Sequence, residues 1–156
     1  PIGELQPNEA MLFHNMKRGV DRIDNVRALE APLWSHNLRL AGRVDCVAEF
    51  DGKLSIIDFK GSTRKKNPTK ITNYFCQATA YSIMWHEMMG ESIDQIVILI
   101  SSEDGANQIF VKHPLEFVPE LKRVIDVYYK ANPKHLLTTD ESSQTLFSWI
   151  IWWIKL

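Results

Sequence analysis

No stretch of this chain is apolar for long enough to cross a bilayer. The longest, LFSWIIWWIKL at the end, runs for about ten residues, roughly half of a spanning helix. Cysteine is scarce: Cys46 and Cys76 are the only two, and their separation fits no zinc or redox spacing. A zinc module and a disulfide scaffold are therefore excluded, and the usage suits a reducing compartment. Cys46 falls inside an apolar strand and reads as a small buried hydrophobe. An excess of either charge is missing too. With 18 Lys and Arg against 19 Asp and Glu the net charge is −1, so a polyanionic partner would have to be met by a local patch. Internal repeats and low-complexity segments are absent, which excludes a solenoid. The chain opens at Pro1 without methionine, signal peptide or Arg-rich presequence. That is expected of a fragment or processed product, and it favours bacterial or phage-infected cytoplasm over a mitochondrion.

What is present is 156 residues with 45% hydrophobic and 24% charged side chains, enough for one domain with a sizeable core. A helix is expected from Glu9 to about Ile23. Arg27–Trp34 and Leu38–Phe50 read as strands joined at Ser35-His36-Asn37, and Lys53–Phe59 as a third. Gly61–Asn67 is a polar, basic loop. Asn73 is a plausible N-cap for a helix reaching Met88, stopped by Gly90. Gln95–Ser101 is a short apolar run suited to a buried strand. Gln108–Val111 makes another after the Glu103-Asp104-Gly105 turn, and Pro119 opens a last helix that Asn132-Pro133 ends. The two middle strands are apolar on both faces, with Val47, Leu54 and Ile56 on one and Val44, Cys46, Ala48, Ile57 and Phe59 on the other. Strands covered on both sides belong in a sheet flanked by helices, so an α/β fold with a mixed central sheet is expected. The domain is placed at residues 1–133, and 134–156 form a tail of unassigned role, a cloning or frame artefact among its readings. Five bulky apolar residues, Trp149–Trp153, would be an aggregation hazard if exposed.

Asp51-Gly52 is a strong hairpin signal. A two-residue loop there pairs Phe50 with Lys53 and, counting outward, Asp45 with Asp58. Cross-strand partners lie about 4.5–5.5 Å apart at Cβ, where two bare carboxylates repel by about 3 kcal/mol at an effective dielectric near 20. A cation between them removes that penalty. Lys60, two residues past Asp58, returns to the same face. Asp45, Asp58 and the backbone carbonyl of Phe59 are oxygen ligands of the kind Mg²⁺ takes, and Lys60 beside them would orient water or stabilise charge on a phosphate. The pattern predicts a metal-dependent phosphodiesterase site, and a bulge in the hairpin would break it. The bland alternative is a solvent-facing hairpin end with an Asp–Lys pair worth a few tenths of a kcal/mol. Gln77 and Tyr81, four apart on a helix, share one face. Arg64, Lys65, Lys66 and Lys70 follow the site and would grip a DNA backbone without reading its sequence. Tyr74 could stack on a base, whereas Phe75 reads as core.

The run GRVDCVAEFDGKLSIIDFKGS, followed by QATAY, resembles the PD-(D/E)XK nuclease superfamily in its RecB-like branch. The surrounding text, including VRALEAPLW, is similar to the mitochondrial genome maintenance exonuclease family and its phage relatives, over about residues 25–130. The resemblance implies a restriction-endonuclease-like αβββαβ core and Mg²⁺- or Mn²⁺-dependent cleavage of DNA, commonly at single-stranded ends, in DNA replication or repair. By position it makes Asp45 the first acidic ligand, Asp58 the second, Lys60 the catalytic lysine, and Gln77 with Tyr81 the Gln-x-x-x-Tyr motif. It also makes an acidic residue at Glu30 expected near the site. From the residues alone, Glu30 pairs with Arg43 or with Gly42, depending on the length of the first hairpin loop. The chain departs from the family at Val44, where a proline would stand, and in having no convincing metal-binding histidine on an upstream helix; His14 is the candidate. Exonuclease is preferred on resemblance. An endonuclease of the same fold and an inactive nucleic-acid-binding domain are the alternatives.

Overall fold

The computed structural model describes residues 7–136, so the apolar tail falls outside the described residues. Its element order is α1 (Pro7–Val20), β1 (Ile23–Ser35), β2 (Leu40–Phe50), β3 (Lys53–Ser62), α2 (Thr72–Met89), β4 (Gln95–Ser102), β5 (Asn107–Lys112) and α3 (Val118–Ala131). The strands form one sheet in the order β1-β2-β3-β4-β5. All neighbours are antiparallel except β3 and β4, which run parallel. A parallel pair needs a crossover, and α2 supplies it. No described helix is long and apolar enough to cross a membrane.

The two faces of the sheet are filled separately. Val47, Ile56, Ile96, Ile98 and Ile100 join Phe75, Met84 and Trp85 of α2 and Leu121 and Ile125 of α3 in one core. Cys46, Ala48, Phe50, Ile57, Val97 and Leu99 make a second, on the face where α1 lies. Helix α1 comes in close at Gly19, where a Cβ would stand 3.0 Å from a Leu99 methyl. Every residue of β4 is buried, as its unbroken apolar run implies. Burial pushes the thiols of Cys46 and Cys76 up to about 11, so both behave as inert hydrophobes.

Several boundaries differ from expectation for local reasons. Helix α1 ends at Val20, and Ile23, expected as its last apolar position, opens β1 opposite Phe50. The start of β1 was hidden because a bulge between Asp24 and Ala28, with Asn25 at φ 45°, interrupts the alternation. Asn73 lies inside α2, whose cap residue is Ile71. The cap-forming asparagine is Asn67, which receives the Thr69 N–H at 3.0 Å at the start of a short 3-10 turn. The first hairpin loop is longer than three residues. Ser35 pairs with Leu40, and the loop between them is held from outside by Glu87 of α2. The Glu87 carboxylate accepts the Ser35 hydroxyl at 2.5 Å and the backbone N–H groups of His36 at 2.8 Å and Asn37 at 3.4 Å. Its partial desolvation would raise its pKa, but the hydrogen bonds outweigh that and lower it.

A depressed carboxylate contributes stability that is present above its unfolded-state pKa and is lost as pH falls through the folded one. Glu87→Gln is therefore expected to lower unfolding free energy by about 1 kcal/mol at pH 7. The gap to wild type should narrow as pH drops below about 4. Urea denaturation at a series of pH values measures both, and a gap independent of pH would contradict the account.

Candidate active site

The hairpin at Asp51-Gly52 forms as counted. Both residues have positive φ, 52° and 75°, the geometry of a type I′ turn, and Arg22 braces the tip by pairing with Asp51. The β2–β3 ladder runs from Phe50–Lys53 through Glu49–Leu54, Ala48–Ser55 and Val47–Ile56 to Cys46–Ile57. It stops one step short of the acids. There the Phe59 N–H turns to the Asp45 carboxylate, at 2.9 Å from Oδ2, in place of a backbone partner on β2. Strand β3 meanwhile stays registered with β4 as far as Ser62–Ser102. The two central strands thus part where the carboxylates lie, and a side chain fills the opening.

Alternation carries Ile56, Asp58 and Lys60 to the α2 face, while Ile57 and Phe59 pack on the other. Asp58 and Lys60 meet at 2.7 Å, with their side chains only 4% and 15% exposed. An ion pair removed from water at this depth depends on its surroundings to offset desolvation, and α2 provides them. The Lys60 Nζ donates to Gln77 Oε1 at 3.2 Å, and Gln77 Nε2 donates to the Tyr81 hydroxyl at 3.2 Å. An ammonium group only donates, so it must meet the amide oxygen and leave the amide nitrogen for Tyr81. Burial pushes the Tyr81 phenol well above the ordinary tyrosine range. The Gln77 hydrogen bond opposes this, and the charges of Asp58 and Asp45 add to it. The phenol is neutral at any physiological pH. Tyr74, one turn before Gln77 on α2, presents its ring 5.2 Å from Lys60 Nζ.

The five residues Asp45, Asp58, Lys60, Gln77 and Tyr81 are therefore brought together by three elements. Two others are not. Glu30 corrects both expected pairings, because the flanking pairs Leu29–Cys46 and Ala31–Val44 put it opposite Asp45. It sits at φ 47°, and its carboxylate points outward to Arg43 Nε at 3.1 Å, with its side chain 63% exposed. Its carboxylate is thus engaged by Arg43 and does not join Asp45 and Asp58 in this structure. The same kink corrects the face assigned to Val44, which shares a core with Val47, three residues on. Strict alternation does not allow that. His14 is exposed on α1, on the opposite face of the sheet, beside Lys17, Arg18, Gly105 and Asn107. Among the described residues no third His, Cys, Asp or Glu joins the two acids.

The donor set nonetheless suits a hard divalent cation. Mg²⁺ commonly takes one or two carboxylates and completes its shell with water and phosphate. The N–H and C=O of one strand residue leave on the same edge, so the Phe59 carbonyl opens toward Asp45. The ammonium of Lys60 already stands against Asp58 as a cation would.

The basic loop after β3 is held in place rather than free. Lys65 N–H donates to Asp104 Oδ2 at 3.1 Å. Lys66 is bonded through both backbone groups to the Gln108 amide, at 2.7 and 2.9 Å. Arg64, Lys65 and Lys70 are exposed and Lys66 half-buried. Phe75 is core as expected, stacked on Phe117 at 4.8 Å. Asp104 and Gln108 were not singled out from the sequence, since Asp104 reads there as an ordinary turn residue.

Comparison with known proteins places these observations. The family model of the PD-(D/E)XK nuclease superfamily matches residues 8–145. Human mitochondrial genome maintenance exonuclease 1 is 38% identical over 60 residues, covering 33% of this chain and 17% of that protein. The mouse protein of the same name is 38% identical over 80 residues, covering 46% of this chain and 23% of its own length. The matched part thus spans less than a quarter of either relative.

The Gln77–Tyr81 link makes a testable claim about coupling. In a double-mutant cycle, Gln77→Ala and Tyr81→Phe are expected to be non-additive in stability by about 0.5–1.5 kcal/mol. Additive effects would show that the amide and phenol do not act together.

Proposed function

This chain belongs to the PD-(D/E)XK nuclease superfamily, and we propose that it is a metal-dependent exonuclease acting on single-stranded DNA ends. The observation that carries this reading is the Lys60 ammonium, held between Asp58 and Gln77 at the mouth of the β2–β3 opening. Asp45, Asp58 and the Phe59 carbonyl would hold Mg²⁺ or Mn²⁺. Bound there, the ion would supply an activated water and positive charge for the phosphate.

The protein's own residues perform the remaining tasks. The Lys60 ammonium orients the attacking water or meets a phosphate oxygen as that oxygen gains negative charge. Gln77, anchored by Tyr81, fixes where that ammonium points. Tyr74 covers one side of Lys60 and offers a ring to a base at the strand end. Arg64, Lys65, Lys66 and Lys70 grip the sugar–phosphate backbone leading into the site, contacts that fix the strand without reading its sequence. The preference for ends and for DNA draws on the mitochondrial relatives, which are named as genome maintenance exonucleases.

Linear strands labelled at the 5′ or the 3′ end, with a closed circular strand beside them, test the proposal. With Mn²⁺ the linear strands should shorten and the circle should survive, and chelation should stop the shortening. Lys60→Ala should lower the rate by about 10²–10³-fold, with thermal unfolding as the control for folding. A cut circle would make the protein an endonuclease. Full activity in Lys60→Ala would overturn the assignment.

A further inference from the structure

A second cationic feature lies outside the site. Between α1 and the β4–β5 turn is an open cleft of about 430 Å³, lined by His14, Lys17, Arg18, Asp21, Gly105, Asn107 and Ile109. Its position follows from topology. Ser62 at the end of β3 pairs with Ser102 at the end of β4, so the turn that follows stands at the same end of the sheet as Asp58 and Lys60. The basic loop docks on one side of that turn through Asp104 and Gln108, and α1 lines the cleft on the other.

The charges in this rim are unevenly engaged. Lys17 is held by Asp21 at 2.7 Å. Asp104 is occupied by the N–H groups of Lys65 and Ala106. Arg18 makes no hydrogen bond or ion pair among the described residues and is exposed, as is His14. In a chain of net charge −1, Arg64, Lys65, Lys66 and Lys70 after β3 and Lys17 and Arg18 of the cleft set six cations against the acids Asp21, Glu103 and Asp104. A positively charged track of this kind fits a chain of phosphates rather than a small anion.

We propose that the cleft between α1 and the β4–β5 turn binds a backbone phosphate of the nucleic-acid strand at a distance from the scissile bond, with Arg18 as its principal contact. This rests on the nuclease reading above and adds a substrate-length requirement to it. A strand long enough to pass over the β4–β5 turn engages both the loop and Arg18. A shorter one reaches the loop alone.

The test is binding of fluorescent single strands of graded length to the whole chain, in Ca²⁺ to hold cleavage down, over a range of salt. For a strand of about 20 nucleotides, Arg18→Ala should weaken binding several-fold and flatten the log K against log salt slope by about 0.7, one lost contact on single strands. For one of about four nucleotides it should change neither. Arg18→Lys should restore the slope, because the contact needs charge and not a fork of donors. If wild type binds and cleaves while Arg18→Ala leaves the long-strand slope unchanged, or weakens both lengths alike, the cleft is not a phosphate site and the catalytic reading stands. A wild-type chain that neither binds nor cleaves any strand sinks both.

Discussion

The arrangement of the site depends on an ion pair withdrawn from water. Asp58 and Lys60 are two residues apart on a strand that is covered on both faces, and an ammonium and a carboxylate at that depth lose most of their hydration. Their attraction offsets that loss only when the remaining hydrogen-bonding capacity is met. Gln77 meets it for Lys60, and Tyr81 meets it for Gln77. The polar chain from Asp58 and Lys60 on β3 through Gln77 to Tyr81 on α2 is thus one unit. It explains why Gln77 is buried on α2 among Phe75, Ala78, Met84 and Trp85.

A second constraint is that β3 serves two neighbours of opposite direction. It is antiparallel to β2 and parallel to β4, and it keeps the second pairing for longer. When it leaves β2, the Phe59 N–H needs an acceptor, because an unmatched buried donor costs about 1–3 kcal/mol. The Asp45 carboxylate takes that role. The carboxylate is therefore held in the plane of the sheet by the strand it faces, and the opening that could admit a cation follows from the parting of the ladder. On the far side of β2, Glu30 at φ 47° marks the same irregularity. Its side chain and its own carbonyl both engage Arg43 Nε, at 3.1 and 2.9 Å.

Much of this was legible from residue order. A two-residue Asp-Gly turn leaves one register, so the pairing from Phe50–Lys53 outward could be counted, and period-2 alternation set Asp58 and Lys60 on one face. The four-residue spacing of Gln77 and Tyr81 put them one helical turn apart, and the apolar run of β4 announced a strand buried on both sides. The hidden features all rest on contacts between distant segments. The loop of the first hairpin is decided by Glu87, more than 50 residues away from Ser35. The start of β1 is masked by a bulge. The outward turn of Glu30 follows from a backbone kink that no local pattern encodes.

Residue order alone therefore determined which chemical groups exist and, through one tight turn and two periodicities, which of them share a face. The fold decided their partners. Only when α2 packs on the sheet does Gln77 meet Lys60, and only when β3 commits to β4 does Asp45 swing toward Phe59. The reason is physical: turns and alternation act between neighbours in the chain, whereas desolvation and hydrogen-bond satisfaction depend on whatever packing brings alongside.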